Sequence, residues 1–272
     1  MNEWLDFSDF VDKTQELIEL GLYDEARALL DRYADSFLDE WEYWFMYSRI
    51  YGEQNKPDDA IAMLLKGLRL EPNNVDCLVG MFYAYAMKNK LDEAGRYLLS
   101  AERSNPDNEL VVSALIWYFA ETSQLKKAVA YFENIRAKGT TNPEIFRNAG
   151  IAYDRNGQMD KAIECYSMAL ELHPFYDEVR ELLSDLYLAT GKPDKAIELY
   201  EQALQKSPNN IRYRSRLVFC LSQNDQMDKA IFTAEESIKK YPNSPIGYID
   251  LAYIHLNAGE LDKALALSLI HI

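Results

Sequence analysis

The histidines and cysteines are the side chains of this sequence that could act as nucleophiles, bases or metal ligands. The three cysteines are Cys77, Cys165 and Cys220, and the three histidines are His173, His255 and His271. They are widely spaced, and no two cysteines form the Cys-x-x-Cys pair of a thiolate metal site. The sequence also lacks a Gly-rich phosphate loop of the GxGxxG or GxxxxGK type. We therefore expect no catalytic activity, no metal and no cofactor, and we interpret the cysteines as small apolar residues within helices.

The charge balance argues against a polyanionic partner. Lys and Arg number 29 and Asp and Glu 44, which gives a net charge of −15. Nucleic-acid binding needs clustered cations, so we expect no nucleic-acid partner. The start of the chain, MNEWLDFSDF, lacks the basic residues and apolar run of a signal peptide, and no segment has 18 consecutive apolar residues. We expect a cytoplasmic protein that does not insert into membranes.

One alanine recurs at a fixed interval along the whole chain. It stands 34 residues apart each time, at Ala26, Ala60, Ala94, Ala128, Ala162, Ala196, Ala230 and Ala264. If this alanine is position 20 of a repeating unit, the units begin at residues 7, 41, 75, 109, 143, 177, 211 and 245. The last unit is cut short at Ile272. The sequence is therefore an array of about eight repeats after a lead-in of residues 1–6.

Other positions of the unit indicate a pair of helices. Apolar or small residues at positions 4, 7, 8 and 11 form one stripe of helical period, and those at 17, 20, 24 and 27 form another. Position 15 holds residue types that tolerate a left-handed helix exit, such as Gly157 and Asn89, so the first helix should stop there. Position 18 is Asp in seven of the eight units, where an acid suits the first turn of the second helix. Proline at position 32, as in Pro174, should end the second helix.

This pattern resembles the tetratricopeptide repeat. The match is clearest in EIFRNAGIAYDRNGQMDKAIECYSMALELHP, where the family's large, small, aromatic and proline positions are Gly150, Tyr153, Ala162, Tyr166, Ala169 and Pro174. The resemblance covers residues 7–272 and implies an all-α, right-handed superhelical α-solenoid whose first helices line a concave groove. Units one and four depart from the pattern, since Leu38 and Thr140 replace the proline of position 32. Units seven and eight depart from it as well, since Ala234 and Ser268 replace the large side chain of position 24. We expect those units to be less regular.

The resemblance also implies a class of function. Arrays of this family bind peptides or protein segments, and most have no catalytic activity. We therefore expect a non-catalytic protein-interaction scaffold that holds a peptide or helical segment of a protein partner. The alternative is a regulatory or substrate-recruiting region of a larger enzyme, such as a glycosyltransferase.

In the family geometry, positions 2, 5, 6, 9, 12 and 13 of the first helices point into the groove. Candidate partner-binding residues at these positions are Phe45, Met46, Tyr83, Met87, Trp117, Arg147, Asn148, Arg155, Arg212 and Arg216. We predict that the aromatic and methionine side chains hold apolar groups of a partner and that the arginines receive carboxylates. Tyr83 and Trp117 could instead pack between successive first helices, and each arginine could form an ordinary surface ion pair.

Two further expectations concern specificity and association. One family subtype holds the carboxylate of chaperone tails with Asn and Lys residues, but here the matching positions hold Arg147, Ile151 and Leu182, so we predict no such adaptor. The last residues, LDKALALSLIHI, are apolar almost all round. We expect Leu265, Leu267, Leu269, Ile270 and Ile272 to be buried against a following segment of a longer protein or against a second copy, so self-association through this uncapped repeat is one prediction. Trp4 and Phe7 are candidates to cover the other end.

Overall fold

The computed structural model describes residues 5–268, and all regular structure in that range is helical. The helices are α1 (Phe7–Glu19), α2 (Tyr23–Arg32), α3 (Ala34–Phe37), α4 (Trp41–Glu53), α5 (Pro57–Leu70), α6 (Val75–Met87), α7 (Leu91–Ser104), α8 (Glu109–Glu121), α9 (Leu125–Ala137), α10 (Pro143–Arg155), α11 (Met159–Leu172), α12 (Asp177–Ala189), α13 (Pro193–Lys206), α14 (Ile211–Gln223), α15 (Met227–Lys240), α16 (Pro245–Asn257) and α17 (Leu261–Ser268).

The helix boundaries follow the 34-residue register. The first helices of the eight repeats are α1, α4, α6, α8, α10, α12, α14 and α16, and each begins at a predicted unit start. The second helices all begin at position 17 of their unit, from Tyr23 in the first repeat to Leu261 in the eighth. The predicted all-α array of helix pairs is confirmed.

The turn within each pair has one conformation in every repeat. Position 15 has a positive φ, between 54° and 77°, at Gly21, Asn55, Asn89, Ser123, Gly157, Gly191, Asp225 and Gly259. This left-handed residue ends the first helix and lets the chain reverse, as the residue types at this position predicted. The Asp of position 18 then lies in the first turn of the second helix, for example Asp92 in α7 and Asp194 in α13. There its charge complements the exposed amide groups of the helix N-terminus.

The chain divides into two compact units, Met1–Asn156 and Gly157–Ile272. In both units the repeated alanine lies at a tight helix contact. Seven of the eight alanines are at most 3% exposed, and Ala264 is partly exposed. Large side chains fill the space around them, such as Phe82 and Phe132 in the first unit and Tyr200 in the second. Burial of these apolar stripes against neighbouring helices is the main source of stability in such an array.

Of the four repeats predicted to be less regular, the first and the fourth differ from the others, whereas the seventh has helices of the usual length. In the first repeat α2 ends at Arg32, and the short helix α3 replaces the last part of a full second helix. In the fourth repeat α9 ends at Ala137 and Gly139 takes a φ of 84°. In the second, third, fifth, sixth and seventh repeats a proline follows the second helix after a single capping residue. In the second repeat, for example, α5 ends at Leu70, Glu71 caps it, and Pro72 follows. The missing prolines at Leu38 and Thr140 therefore mark real changes of backbone path.

The structure bears on two predictions, namely the absence of membrane insertion and self-association through the last repeat. No helix among residues 5–268 is both long and apolar enough to span a bilayer. Near the end of this range Leu265 is 60% exposed, whereas Leu267 packs partly against the core of the second unit. Trp4, Leu269, Ile270 and Ile272 lie outside the described residues, so self-association through this end stays a prediction.

Candidate functional site

An open pocket of about 340 Å³ lies on the first helices of the N-terminal unit. Helix α4 contributes Phe45, Arg49 and Glu53, α6 contributes Asp76, Val79, Tyr83 and Met87, and α8 contributes Leu110. The buried residues Ala60 and Leu64 of α5 complete one side. We call this the N-terminal pocket. It brings together three predicted site residues, Phe45, Tyr83 and Met87, from two consecutive repeats.

The N-terminal pocket presents apolar side chains to solvent. Tyr83, Met87 and Leu110 are 42%, 45% and 39% exposed. Phe45 is half-buried, and its ring lies 5.9 Å from the ring of Trp41. Scattered exposed apolar residues need no explanation, but a contiguous group inside a concavity is typical of an interaction surface.

The surroundings of Tyr83 show how concave this surface is. Burial raises the pKa of Tyr83, with a smaller contribution from the negative charge of Glu144, while Arg147 acts in the opposite direction. The residue is nonetheless 42% exposed and lines the open N-terminal pocket. Glu144 and Arg147 belong to α10, so groups two repeats away contribute to the environment of a residue on α6.

Two predicted site residues are buried, which corrects the expectation that they face a groove. Met46 is 4% exposed and belongs to the core formed with Phe10 and Ile50. Asn148 is 3% exposed and donates from Nδ2 to the backbone oxygen and to the hydroxyl of Ser113, each at 3.0 Å. Met46 and Asn148 both occupy position 6. This position is turned toward the preceding repeat, because successive first helices pack against each other.

Trp117 has an intermediate placement. Its ring packs edge-on against the buried ring of Phe82, with a centroid distance of 5.6 Å, and the residue remains partly exposed. It does not line the N-terminal pocket. Trp117 thus contributes to contacts between α6 and α8, as the packing interpretation of position 9 predicted.

The predicted arginines are mostly engaged by neighbouring side chains. In the N-terminal unit Arg155 pairs with Glu121 at 2.7 Å, and Arg147 donates from Nη1 to Asn148 at 2.8 Å. In the C-terminal unit Arg216 pairs with Asp185 at 2.8 Å. Arg212 is exposed. The interpretation as surface ion pairs is therefore confirmed for Arg155 and Arg216, which already have carboxylate partners.

A second open pocket, of about 400 Å³, lies among α11, α12 and α13 of the C-terminal unit. Arg180 lines it and is only 6% exposed. Its guanidinium donates at 3.0 Å to Asp177 and to the hydroxyl of Tyr213, and it also donates to the backbone oxygen of Pro174. These contacts fasten α12 to α14, so Arg180 serves the packing of repeats.

Two of the three cysteines, Cys77 and Cys220, are unsuited to nucleophilic chemistry. All three are buried, and none is in a disulfide. Burial raises the pKa of Cys77 to about 12, and the charges of Asp76, Glu71 and Glu42 add to this effect. Burial also raises the pKa of Cys220. The thiolate is the reactive form of cysteine, and these two thiols stay protonated at neutral pH.

The paired helices, the shared turn and the buried alanines define a helical-repeat protein. Family models described as tetratricopeptide repeat match residues 12–75, 113–177 and 147–211, residues 53–115 and 187–248, and residues 233–266. The chain belongs to the tetratricopeptide repeat family. A search of the curated proteins finds no significant match.

Solved structures that resemble this chain include a subunit of a hetero-tetrameric complex and two bacterial proteins. The chain resembles a protein of the Cut9–Hcn1 hetero-tetramer of APC/C, with a TM-score of 0.67 at 18% identity. That alignment covers 92% of this chain and 49% of the other, so this chain spans about half its length. A tetratricopeptide repeat protein of Parabacteroides merdae gives 0.57 at 16% identity, covering 84% of this chain and 90% of the other. Pseudomonas aeruginosa pilF gives 0.60 at 16% identity, covering 80% and 97%. At these identities the likeness establishes the fold alone.

Several residues of the N-terminal pocket were not among the predicted binding residues. Glu53 and Asp76 line it, and Glu42 lies close enough to Asp76 for the two charges to interact. The sequence did carry a signal for them, because Glu42 and Asp76 occupy position 2 and Glu53 occupies position 13. These are groove positions in the family geometry. In a sequence with 44 Asp and Glu residues, however, a single acid at such a position does not stand out from acids that are simply exposed to solvent.

Proposed function

We propose that this protein is a non-catalytic scaffold that binds a peptide or helical segment of a protein partner in the N-terminal pocket. The observation that carries the proposal is the exposure of Tyr83, Met87 and Leu110 within one concavity. Burying these side chains against a partner removes apolar area from water, which is the main driving force of protein association. A rigid aromatic ring beside a flexible methionine suits the capture of an irregular apolar side chain.

The setting of the pocket supports an extended or helical ligand. Most of its lining comes from three consecutive first helices, α4, α6 and α8, which present equivalent positions at each repeat. A ligand laid across these helices would meet one set of side chains per repeat. We further propose a cytoplasmic location, supported by three buried cysteines, none of which is in a disulfide.

The test is a binding measurement on the full chain with surface variants. Short random peptides displayed on phage are selected against the protein, and the enriched sequences are synthesised with a fluorescent label. Affinity is measured by anisotropy for the wild type and for the double variant Tyr83→Ser/Met87→Ser. We expect the double variant to bind about tenfold or more weakly, because truncating central anchors removes most of the binding energy.

The matched control is Leu65→Ser/Leu70→Ser on α5. Both leucines are 41% exposed, close to the exposure of Tyr83 and Met87, but neither lines the N-terminal pocket. This variant should bind the peptides with unchanged affinity, and circular dichroism should show full helix content for both variants. Equal binding by the wild type and the Tyr83→Ser/Met87→Ser variant would refute the proposed site.

A further inference from the structure

The N-terminal pocket is acidic on both sides of its apolar floor. Glu53 lies at the last position of α4, and Asp76 is the second residue of α6. Glu42, the second residue of α4, is near enough to Asp76 for their charges to repel. Within residues 5–268 these three carboxylates form no ion pair with a cation of the protein.

Asp76 and Glu42 are poorly solvated. Burial raises the pKa of Asp76, and only its own backbone N–H group acts in the opposite direction. Burial also raises the pKa of Glu42, and the negative charges of Glu40, Glu71 and Asp76 raise it further against the pull of its own backbone N–H group. In addition, the Oε2 atom of Glu42 is buried without a hydrogen-bond partner. A carboxylate that has lost water without gaining a cation is destabilised in the free protein.

The one cation that lines the pocket does not pair with these carboxylates. Arg49 lies on α4, and within residues 5–268 it forms no ion pair with Asp76 or Glu42. Two carboxylates and one guanidinium line the pocket, so its net charge is negative, and Glu42 adds a further negative charge close to Asp76. The pocket therefore combines an apolar floor with an uncompensated negative charge at the Asp76 side.

We infer that the partner segment held in the N-terminal pocket carries a Lys or Arg next to its apolar anchor, with the cation received by Asp76 and Glu42. This inference rests on the proposed function and adds the chemical class of the ligand. A cation between two partly desolvated carboxylates restores the interactions that these groups lack in the free protein. An acidic segment would instead meet like charge, which disfavours the wrong partners.

The same peptide selection tests this inference. Enriched peptides should show an excess of Lys or Arg within a few residues of an apolar residue. Replacing that cation by Gln should weaken binding to the wild type about three- to tenfold. The loss should disappear in the variant Asp76→Asn/Glu42→Gln, because the cation then has no carboxylates to meet. Raising the ionic strength should weaken the Lys or Arg peptide more than its Gln counterpart.

A control separates a ligand contact from a general effect of acids at helix starts. Asp92→Asn removes an exposed acid from the first turn of α7, outside the pocket, and should leave the cation preference intact. The inference is overturned if the enriched peptides require Tyr83 and Met87 but show no cation preference, and the proposed function then stands. Peptide binding that is insensitive to Tyr83→Ser/Met87→Ser would overturn both.

Discussion

Asn148 on α10 and Ser113 on α8 are joined by two hydrogen bonds, both of 3.0 Å, across the boundary between two repeats. Ser113 occupies position 5 of the fourth repeat and Asn148 position 6 of the fifth. The same pair of positions is joined again in the C-terminal unit, where Ser215 donates to Asp250 at 2.7 Å. Polar pairs of this kind fix how one first helix packs on the next, because a shifted arrangement would leave buried polar groups without partners.

The first prediction follows from this contact. Asn148→Ala should lower the free energy of unfolding by about 1–3 kcal/mol, because it removes two buried hydrogen bonds to Ser113. Ser113→Ala removes only one of the two bonds and should cost less. Urea denaturation followed by circular dichroism measures both. Since Asn148 is 3% exposed, peptide affinity per folded molecule should not change in Asn148→Ala. A loss of affinity with unchanged stability would restore Asn148 as a binding residue.

The second prediction concerns the repeated alanine. Ala128 on α9 is fully buried, while Ala130 on the same helix is exposed. Ala128→Phe should overpack the helix pair and destabilise the protein by about 1–3 kcal/mol. Ala130→Phe introduces the same side chain two residues away and should change stability by less than about 0.5 kcal/mol. Thermal unfolding of the two variants gives the comparison, and equal midpoints would show that position 20 does not control the approach of the helices.

The third prediction uses two helical glycines. A Cβ on Gly95 of α7 would lie 2.6 Å from Cζ of Tyr118, so Gly95→Ala should displace that ring and cost about 1–3 kcal/mol. A Cβ on Gly52 of α4 would meet no atom within 4 Å. Gly52→Ala should therefore stabilise the protein by about 0.5 kcal/mol through reduced backbone freedom of the unfolded chain. Opposite signs in the two denaturation midpoints are the expected result.

The repeat boundaries could be predicted from sequence because they depend on local chemistry. The alanine of position 20, the left-handed residue of position 15 and the proline of position 32 each restrict the backbone where they stand, and helix starts such as Trp41 and Pro193 agree with them. The irregular ends of the first and fourth repeats could also be predicted, because Leu38 and Thr140 replace the proline that ends the second helix in other repeats. These features need no knowledge of what lies beside the helix pair.

The site was harder to predict because exposure depends on packing between repeats. Met46 and Met87 look alike in sequence, yet one is 4% and the other 45% exposed. The difference arises because Met46 belongs to the core that α4 forms with α1 and α2, whereas Met87 faces the pocket at the end of α6. The role of Asp76 was likewise hidden, since its desolvation is set by residues that surround it in three dimensions.

The last prediction is a pH dependence set by Asp76. Its pKa is raised above the ordinary value of an aspartate because burial disfavours the carboxylate, so the folded protein binds this proton more tightly than the unfolded chain. Stability is then lost as the pH rises from the unfolded pKa through the folded one, and the loss is complete at neutral pH. Asp76→Asn removes this loss. The variant should be more stable than the wild type at pH 7, with the difference shrinking to zero at about pH 3, where both forms are neutral.

Urea denaturation at the two pH values measures the effect, and Asp92→Asn again serves as the control. Asp92 is exposed in the first turn of α7, where its charge favours the helix, so Asp92→Asn should leave stability at neutral pH unchanged or slightly reduced. If Asp76→Asn were also destabilising at neutral pH, helix-end electrostatics would outweigh desolvation. The free protein would then bear no cost for holding a carboxylate in the pocket. A gain in stability combined with weaker binding of cationic peptides would show that Asp76 is retained for ligand recognition at the expense of stability.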